Sequence, residues 1–418
     1  MLQPCPLRPV DAGMIVQEDK SEGSESMVFN SQPFRRLTFC MLAVLLLTLS
    51  GARVEDDLAA RPRQLPVSIG ENKTITVQPG ESWVDIGIRE HVGYEHLRRA
   101  NPRGFRSGSI LIPGRHQVAG LVNDGLVLNL PELMDFRWVN GRPAAWYPVS
   151  IGRITGRWHT PVGELRVISK VKNPAWHRPS WAGGGVMLPG PRNPLGDRWM
   201  GLSRPGYGLH GTNDRTSIGR MVSHGCIRHF PPHIHALFDS AWVGMPVIIE
   251  YETVTVGQQD GIVYMAVFPD IYARGTNAPS RARVRLASFG LGNILTGPEL
   301  ERTLARADGV ARPILGSTIP VTLNGTPLNT PVGPTVRNGQ SYLPLRAITD
   351  QIGATVEWDP TAGTATVTRN EQRITFATDG TQTFTALDAL FVPVRALVEK
   401  LGGTVSYDPK QCLTLYIS

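Results

Sequence analysis

The residues best suited to chemistry lie between positions 209 and 228. Cys226 stands between a glycine and a β-branched residue, with His224 two positions and His210 sixteen positions before it. A free thiol has a pKa of about 8.5, so only a small fraction of it is thiolate at neutral pH. An imidazole within hydrogen-bonding reach can take the proton or hold it as imidazolium beside the sulfur. The pattern therefore indicates a cysteine nucleophile with a histidine base.

Two neighbours of this cysteine extend the prediction to a reaction type. Gly225 would let backbone N–H groups and a substrate carbonyl approach closely, as an oxyanion hole requires. Arg228 offers a planar fork of donors that fits a carboxylate. Together with the thiol, these residues predict acyl transfer from a substrate that carries a carboxylate.

Two other interpretations of the same stretch stay open on the residues alone. A cysteine near a histidine is often a small buried hydrophobic residue. The second interpretation is a zinc site, because five possible ligands lie within twelve residues: His224, Cys226, His229, His233 and His235. Pro231 and Pro232 would break a helix that placed His229 and His233 on one face, and no H-E-x-x-H glutamate is present. We therefore predict no metal.

The stretch Ser223-His224-Gly225-Cys226-Ile227-Arg228, with His210 upstream, resembles the signature of the L,D-transpeptidase catalytic domain of the YkuD type. Other segments follow in the order of that family: 147–153, 160–164, 172–176, 189–196, 244–247 and 261–264. The resemblance covers about residues 117 to 270. It implies a β-sandwich catalytic domain, which we place at 117–252.

The resemblance also implies catalytic roles. Cys226 would be the nucleophile and His210 the general base, with the carbonyl of Gly211 orienting the imidazole. Ser223 and His224 would shape the site. The backbone N–H groups of Gly225 and Cys226 would contribute to the oxyanion hole.

Substrate-binding roles are implied for four further residues. Arg228 would engage a carboxylate of the substrate, and Thr212, Asn213 and Trp176 would line the site. Residues 173–202 would form a lid, in which the tryptophans could instead be core residues. The chain departs from the family pattern after Arg228, at His229, Pro232 and His233. We expect this departure to affect specificity for the acyl acceptor more than the chemistry.

The reaction that the resemblance implies is a two-step acyl transfer on peptidoglycan. The thiolate attacks the carbonyl of the third residue of a stem tetrapeptide and releases the terminal D-Ala as a thioester forms. An amine of a neighbouring stem, a free D-amino acid or a protein lysine then resolves the thioester, whereas water would make the enzyme an L,D-carboxypeptidase. No cofactor is required, and carbapenem-type inhibitors are expected to acylate Cys226. The alternative from another class is a non-catalytic scaffold that binds the cell wall.

The segment 73–116 resembles a LysM carbohydrate-binding module. Alternation at 74–77 predicts a strand, Ser82 is a helix N-cap candidate, Asn101-Pro102 ends a second helix and 109–114 closes with a strand. The resulting βααβ order implies binding to the glycan strands of peptidoglycan.

The segment 318–418 contains an internal repeat. Tyr342 to Ala347 recurs as Phe391 to Ala396, and Gly353 to Pro360 recurs as Gly402 to Pro409, each displaced by 49 positions. The pattern resembles the N-terminal domain of copper amine oxidases and predicts an α+β stalk. Because 318–418 contains no histidine, the resemblance carries no metal prediction.

The N-terminal residues 1–52 are predicted to be a signal peptide with an upstream extension. The apolar run 37–50 follows Arg35 and Arg36, precedes small residues and is short for a membrane span. The protein would then be exported to the periplasm or cell wall, with a membrane anchor as the alternative if the signal is not cleaved. Cleavage removes Cys5 and Cys40. We expect Cys226 to be kept reduced and Cys412 to point into the stalk core.

Composition agrees with several β-rich modules. The 418 residues include 44 Gly and 34 Pro. So many turn-forming residues in an apolar chain favour short strands over helical bundles. The net charge is +7, but no long basic run is present, so we predict no nucleic-acid partner. Residues 53–72 are predicted to be a linker. Residues 253–317 are predicted to be an extension of the catalytic domain followed by a linker. The fold class predicted is multidomain and mainly β.

Overall fold

The computed structural model describes residues 65–408 and 412–417, with only the backbone at positions 106 and 107. The predicted signal segment 37–50 and the N-terminal cysteines lie outside these residues. Within the described part of the chain, no helix is long and apolar enough to cross a membrane.

The first described elements form a small module inside a β-hairpin. They are β1 (Val67–Ile69), β2 (Asn72–Thr76), α1 (Trp83–Glu90), α2 (Tyr94–Ala100), β3 (Ser109–Pro113) and β4 (His116–Val118). β2 pairs antiparallel with β3. Ser82 caps α1, as the sequence predicted, and it does so in a capping box with Asp85. The strand–helix–helix–strand order expected for 73–116 is present.

One strand pairing changes the expected role of the chain just before this module. β1 pairs antiparallel with β4, so the βααβ unit is an insertion between the two strands of this hairpin. The prediction that 53–72 is a linker is therefore wrong for Val67–Ile69, because the Val-Ser-Ile alternation forms a paired strand with Ser68 buried.

The central domain is built on one nine-stranded sheet. Its elements in chain order are β5 (Gly125–Asn129), β6 (Met134–Val139), β7 (Arg142–Gly152), β8 (Gly163–Lys172), β9 (Trp176–His177), β10 (Val186–Met187), β11 (Arg198–Leu202), β12 (Gly208–His210), β13 (Met221–Ser223), β14 (Ile227–His229), α3 (Pro231–Ser240) and β15 (Pro246–Glu250). The order in the sheet is β13-β7-β14-β12-β11-β8-β15-β5-β6, while β9 and β10 form a separate hairpin.

The long strand β7 closes this sheet on itself. Its first part pairs with β6 and its last part pairs with β14 and β13, so one strand joins both ends of the order. Apolar side chains that include Leu128, Val149, Leu209 and Ile227 fill the interior, and α3 adds Ile234 and Leu237. The mainly β, multidomain fold is confirmed, and the β-sandwich stays a prediction about how the two halves of the closed sheet face each other.

The extension 253–317 completes a second sheet. It contains β16 (Val254–Gln259), β17 (Ile262–Val267), α4 (Pro279–Ala287), α5 (Gly297–Arg306) and β18 (Arg312–Leu315). The sheet order is β18-β17-β16-β1-β4, so the hairpin that carries the N-terminal module is part of the same sheet. This region is thus a folded layer rather than a linker.

The C-terminal domain follows the repeat. Its elements are β19 (Val321–Leu323), β20 (Thr326–Pro327), β21 (Thr335–Arg337), β22 (Gln340–Pro344), α6 (Leu345–Thr349), β23 (Thr355–Asp359), β24 (Thr364–Arg369), β25 (Gln372–Ala377), β26 (Phe384–Ala386), β27 (Ala389–Pro393), α7 (Val394–Lys400), β28 (Thr404–Asp408) and β29 (Cys412–Tyr416). The equivalent strands β22 and β27 pair antiparallel with each other, Leu343 opposite Val392.

Cys412 lies in this domain as a free thiol, half-buried, with its Sγ 3.8 Å from Thr322 Oγ1. Its neighbours Leu413 and Leu415 fill the core, and side chains alternate along a strand. The expectation that Cys412 points into the stalk core is therefore wrong. Because Cys412 is free, it forms no disulfide with Cys226.

Candidate active site

The candidate nucleophile Cys226 lies in a tight turn between β13 and β14 and is 1% exposed. Ser223 Oγ donates to the carbonyl of Cys226 at 2.6 Å and accepts from Gly225 N–H at 3.0 Å. Gly225 has φ +113°, and a Cβ there would lie 2.6 Å from the ring of Tyr207. Only glycine fits this position.

The same hydrogen bonds correct one expected role. Because Gly225 N–H donates to Ser223 Oγ, it is not aimed at a substrate oxygen. The oxyanion role that the resemblance assigned to Gly225 therefore does not fit this geometry, and Ser223 acts as the residue that fixes the turn.

A second network, which the sequence did not reveal, holds the turn from the other side. Thr160 Oγ1 donates to the carbonyl of Gly225 at 2.9 Å and accepts from Gly152 N–H at 2.9 Å. The hydroxyl of Tyr272 donates to Gly152 O at 2.8 Å and accepts from Thr160 N–H at 3.2 Å. Thr160 belongs to a segment that suggested the family, but the pairing with a tyrosine 112 residues away has no local sequence signal.

His210, the candidate base, ends β12 and is 3% exposed. Its Nδ1 lies 2.6 Å from the carbonyl oxygen of Gly211. A carbonyl only accepts, so Nδ1 must carry the proton and Nε2 is left as an acceptor. The orientation expected from Gly211 is thus present.

The surroundings of His210 keep its ring neutral. Burial and then the positive charge of Arg228 lower the pKa of His210 to about 3, although the bond to Gly211 opposes this shift. Trp199 stacks on the ring, with centroids 5.8 Å apart. A buried neutral imidazole with one unprotonated nitrogen is suited to accept a proton.

Strand register brings the candidate residues together. β12 and β14 are parallel neighbours, with Leu209 opposite Ile227 and His210 opposite Arg228. Cys226 immediately precedes β14. Arg228 is 1% exposed, and burial lowers its pKa to about 10, so it is still cationic at neutral pH.

His224 lies in an aromatic cluster. Its ring stacks on Trp181 at 4.1 Å between centroids and meets Trp158 edge-on at 4.5 Å. Burial, followed by the charges of Arg153 and Arg228, lowers its pKa to about 4, so the ring is neutral. The sequence predicted His224 and included Trp181 in the lid 173–202, but it missed Trp158.

The remaining predicted substrate residues lie in different settings. Trp176 is half-buried in β9, opposite Met187 of β10. The aromatic contacts to His224 come instead from Trp158 and Trp181. Thr212 is buried, with its hydroxyl bonded to the backbone of Asp214. Asn213 is exposed and donates to the carbonyl of Arg192 at 3.1 Å, which ties it to the predicted lid 173–202.

The histidines that suggested zinc have separate partners. His229 Nε2 lies 2.5 Å from Asp135 Oδ2, His233 stacks on His91 at 4.6 Å and His235 Nε2 lies 2.8 Å from an oxygen of Asp197. His229 is on a strand and α3 begins at Pro231, so the two histidines do not share a helix face, as the prolines predicted. Among the described residues, no cluster of three or more His, Cys, Asp or Glu could hold a metal ion.

Family comparison assigns two parts of the chain. Residues 123–249 match the L,D-transpeptidase catalytic domain, and residues 322–386 match the copper amine oxidase N-terminal domain. Both matches lie within the ranges expected from the sequence for the catalytic and stalk domains.

Curated relatives point the same way. The probable L,D-transpeptidase YcfS of Escherichia coli is 34% identical over 43% of this chain and 62% of its own length. The putative L,D-transpeptidase YkuD of Bacillus subtilis is 32% identical over 37% of this chain and 85% of its own length. The probable L,D-transpeptidase ErfK/SrfK of E. coli is 28% identical over 64% of this chain and 91% of its own length. The chain therefore belongs to the L,D-transpeptidase family.

Proposed function

We propose that this chain is a peptidoglycan L,D-transpeptidase that uses Cys226 as nucleophile and His210 as general base. The observation that carries the proposal is the bond from His210 Nδ1–H to Gly211 O, which leaves Nε2 unprotonated on the strand beside Cys226. The membership of the family supports peptidoglycan as the substrate, and within it the proposed substrate is a stem tetrapeptide.

In the first step, which requires Cys226 in its reduced form, His210 Nε2 takes the thiol proton and the sulfur attacks the carbonyl of the third stem residue. The tetrahedral intermediate collapses to a thioester, and His210 returns the proton to the amine of the departing D-Ala. In the second step, an acceptor amine attacks the thioester carbonyl and gives a proton to His210. The C–S bond then breaks, and His210 returns the proton to the sulfur of Cys226. The N–H of Cys226 is the proposed oxyanion donor.

Arg228 and the aromatic cluster support the proposed substrate contacts. The buried guanidinium of Arg228 supplies positive charge beside His210, where an anionic stem peptide must dock. Trp158 and Trp181 flank His224, and Trp181 is 41% exposed, so its ring can cover a bound substrate. Asn213 would hold the lid in place through Arg192.

The N-terminal module is proposed to bind glycan strands. The βααβ order at 72–113 supports a LysM-like unit, and Trp83 stacks on Phe105 at 4.0 Å beside the helices.

The protein is also proposed to be exported to the periplasm or cell wall, on the basis of the signal predicted in residues 1–52. Fractionation of cells that express the full chain, followed by immunoblotting with an antibody against the catalytic domain, tests it. Recovery of the chain only in the cytoplasmic fraction would contradict export.

The decisive experiment compares Cys226→Ala with Cys412→Ala, the matched thiol in the stalk. We expect Cys226→Ala to abolish D-Ala release from a disaccharide-tetrapeptide while glycan pull-down persists, and Cys412→Ala to behave as wild type. Undiminished release by Cys226→Ala would contradict the proposed nucleophile. Glycan binding by the wild type without any product would favour the scaffold.

Mass spectrometry of the products identifies the acceptor. A 3-3 crosslink, D-amino acid exchange, protein attachment and hydrolysis each give a distinct mass, and hydrolysis alone would favour an L,D-carboxypeptidase. A carbapenem should add its mass at Cys226, since its cyclic amide resembles the scissile acyl group. Absence of the adduct from wild type would count against an accessible thiolate.

A further inference from the structure

We propose that the corner between α1 and α2, residues 91–95, positions the turn that carries Cys226. We call these residues the module corner. The activity part of this inference rests on the proposed function. The corner packs against residues 217–220, which lead directly into β13 and from there into the turn at Cys226.

The backbones meet at two glycines. Gly219 has φ +78°, and a Cβ on it would lie 2.1 Å from the backbone nitrogen of Tyr94. A Cβ on Gly93 would lie 2.9 Å from the Cα of Gly219. Glu95 N–H donates to the carbonyl of Gly219 at 3.2 Å. So close a contact fixes the position of one backbone against the other.

Side chains seal the contact on both sides. The guanidinium of Arg220 lies over the ring of Tyr94, 3.7 Å from its centroid. His91 Nδ1 lies 3.1 Å from the carbonyl of Trp146, and the His91 ring stacks on His233 of α3. The module therefore contacts strand β7, helix α3 and the segment before β13 at once.

The contact continues through hydrogen bonds to the nucleophile. Gly219 N–H donates to Val149 O at 3.1 Å and Ile151 N–H donates to Arg220 O at 3.2 Å, which sets β13 against β7. β13 ends at Ser223, the residue whose hydroxyl fixes the turn. A shift at Gly219 would thus be passed along β13 to the turn at Cys226.

If the N-terminal module only bound the enzyme to the cell wall, it would need no contact with the segment that leads into the turn at Cys226. Positioning predicts a different signature, in which loss of the contact lowers kcat while KM for a soluble substrate changes little. A displacement of about 1 Å at a reacting group can lower a rate by about 100-fold.

Gly93→Ala is the sharpest variant. Gly93 has φ −71° and ψ 153°, which alanine adopts without strain, so the cost arises only where its methyl group meets Gly219. Tyr94→Ala removes the ring under Arg220, and Tyr94→Phe keeps it. Two matched controls lie elsewhere: Gly297→Ala, whose Cβ would meet only Arg283 at 3.9 Å, and Tyr264→Ala, which removes the ring under Arg115 in the second sheet.

Three measurements are made on the full chain. They are kcat and KM for a disaccharide-tetrapeptide, the rate of carbapenem addition to Cys226, and hydrogen–deuterium exchange of peptides covering 217–228. We expect Gly93→Ala and Tyr94→Ala to lower kcat and the carbapenem rate by about 10-fold or more, with KM within about 2-fold. Exchange at 217–228 should rise, whereas Tyr94→Phe and both controls should match wild type.

The outcomes separate the two proposals. Unchanged exchange at 217–228 in Gly93→Ala overturns the positioning role, whether or not the enzyme is active. Raised exchange with an unchanged carbapenem rate also overturns it. If wild type releases no D-Ala and forms no adduct, the proposed function fails, and the exchange data alone decide whether the module corner fixes the turn.

Discussion

Two regions of the central sheet each contain a buried histidine, and they differ in what the imidazole contacts. On the side of Cys226, His210 bonds through Nδ1 to a neutral backbone carbonyl. On the side of β6, His229 bonds through Nε2 to the carboxyl group of Asp135. Both side chains are at most 3% exposed, so burial does not distinguish them.

The strands explain why the two histidines face different surroundings. His210 lies opposite Arg228 in the parallel pair of β12 and β14. His229 is the next residue after Arg228, and successive side chains of a strand point to opposite faces. One face therefore collects His210 and Arg228, and the other directs His229 towards Asp135.

The difference in partner suggests a difference in role. A carbonyl fixes the tautomer of His210 and leaves its other nitrogen able to accept a proton, which is what a base requires. A buried carboxyl group depends on its histidine for hydrogen bonding, and burial raises the pKa of Asp135. Three substitutions to leucine, at His210, His229 and His116, can test whether the partner decides between catalysis and stability.

The largest effect is expected from His210→Leu. Loss of the proposed base should lower kcat/KM for D-Ala release by about 100- to 10,000-fold, because leucine cannot take the thiol proton. The free energy of unfolding should fall by only about 1 kcal/mol, since the lost bond is to a single carbonyl. Steady-state kinetics and urea denaturation check both values, and a variant that retains wild-type kinetics would remove His210 from the mechanism.

His229→Leu should show the opposite pattern. Asp135 Oδ2 would lose its partner, and within the described residues Oδ1 has none, so the carboxyl group would be buried without a hydrogen bond. Breaking a buried pair of this kind costs about 3–5 kcal/mol. Urea denaturation should show this loss, while kcat/KM measured on the folded fraction should stay near wild type. A loss of activity without a loss of stability would contradict the structural role proposed for His229.

The sequence predicted much of this site because its signals are local. The turn at 223–228, the proposed base at 210 and the carbonyl at 211 that bonds to it all follow from a short motif and its family resemblance, and the prolines after His229 separated it from His233. The repeat in the stalk was equally visible, since the displacement of 49 residues recurs in the strands β22 and β27.

What the sequence missed depends on contacts between distant segments. Thr160 and Tyr272 meet across 112 residues, and Trp181 reaches His224 through the fold of the lid rather than through spacing. The pairing of Val67–Ile69 with β4 joins strands on either side of an inserted module. The engagement of Gly225 N–H by Ser223 is a matter of rotamer, which residue types do not determine.

The pH dependence of the reaction sharpens the description of His210. Only the neutral imidazole accepts a proton, and a pKa lowered to about 3 keeps it neutral well below pH 6. A base with an ordinary pKa of about 6.5 would lose about 90% of kcat/KM at pH 5.5. We expect kcat/KM of folded enzyme to change by less than about 2-fold between pH 7 and 5.5, as measured by initial rates of D-Ala release.

Stability must be followed in the same range, because the same shift acts on folding. The unfolded chain takes up a proton on His210 below about pH 6.5, whereas the folded chain does not until about pH 3. Stability therefore falls as pH decreases through this window. Circular dichroism at each pH separates unfolding from titration of the base, and an acid limb near pH 6.5 in folded protein would contradict a neutral, shielded His210.

A smaller loss of stability than that of His229→Leu is expected from His116→Leu, at a third buried histidine. His116 Nδ1 lies 2.7 Å from Glu132 Oε1, a pair that looks much like His229 with Asp135. Glu132, however, keeps a second partner, since Asn129 Nδ2 donates to its other oxygen at 3.2 Å. The loss should then be about 1–3 kcal/mol, the cost of one missing partner in a buried group. Urea denaturation of the two variants side by side gives the test: if His116→Leu costs as much as His229→Leu, the number of remaining partners does not set the cost, and burial alone would account for both.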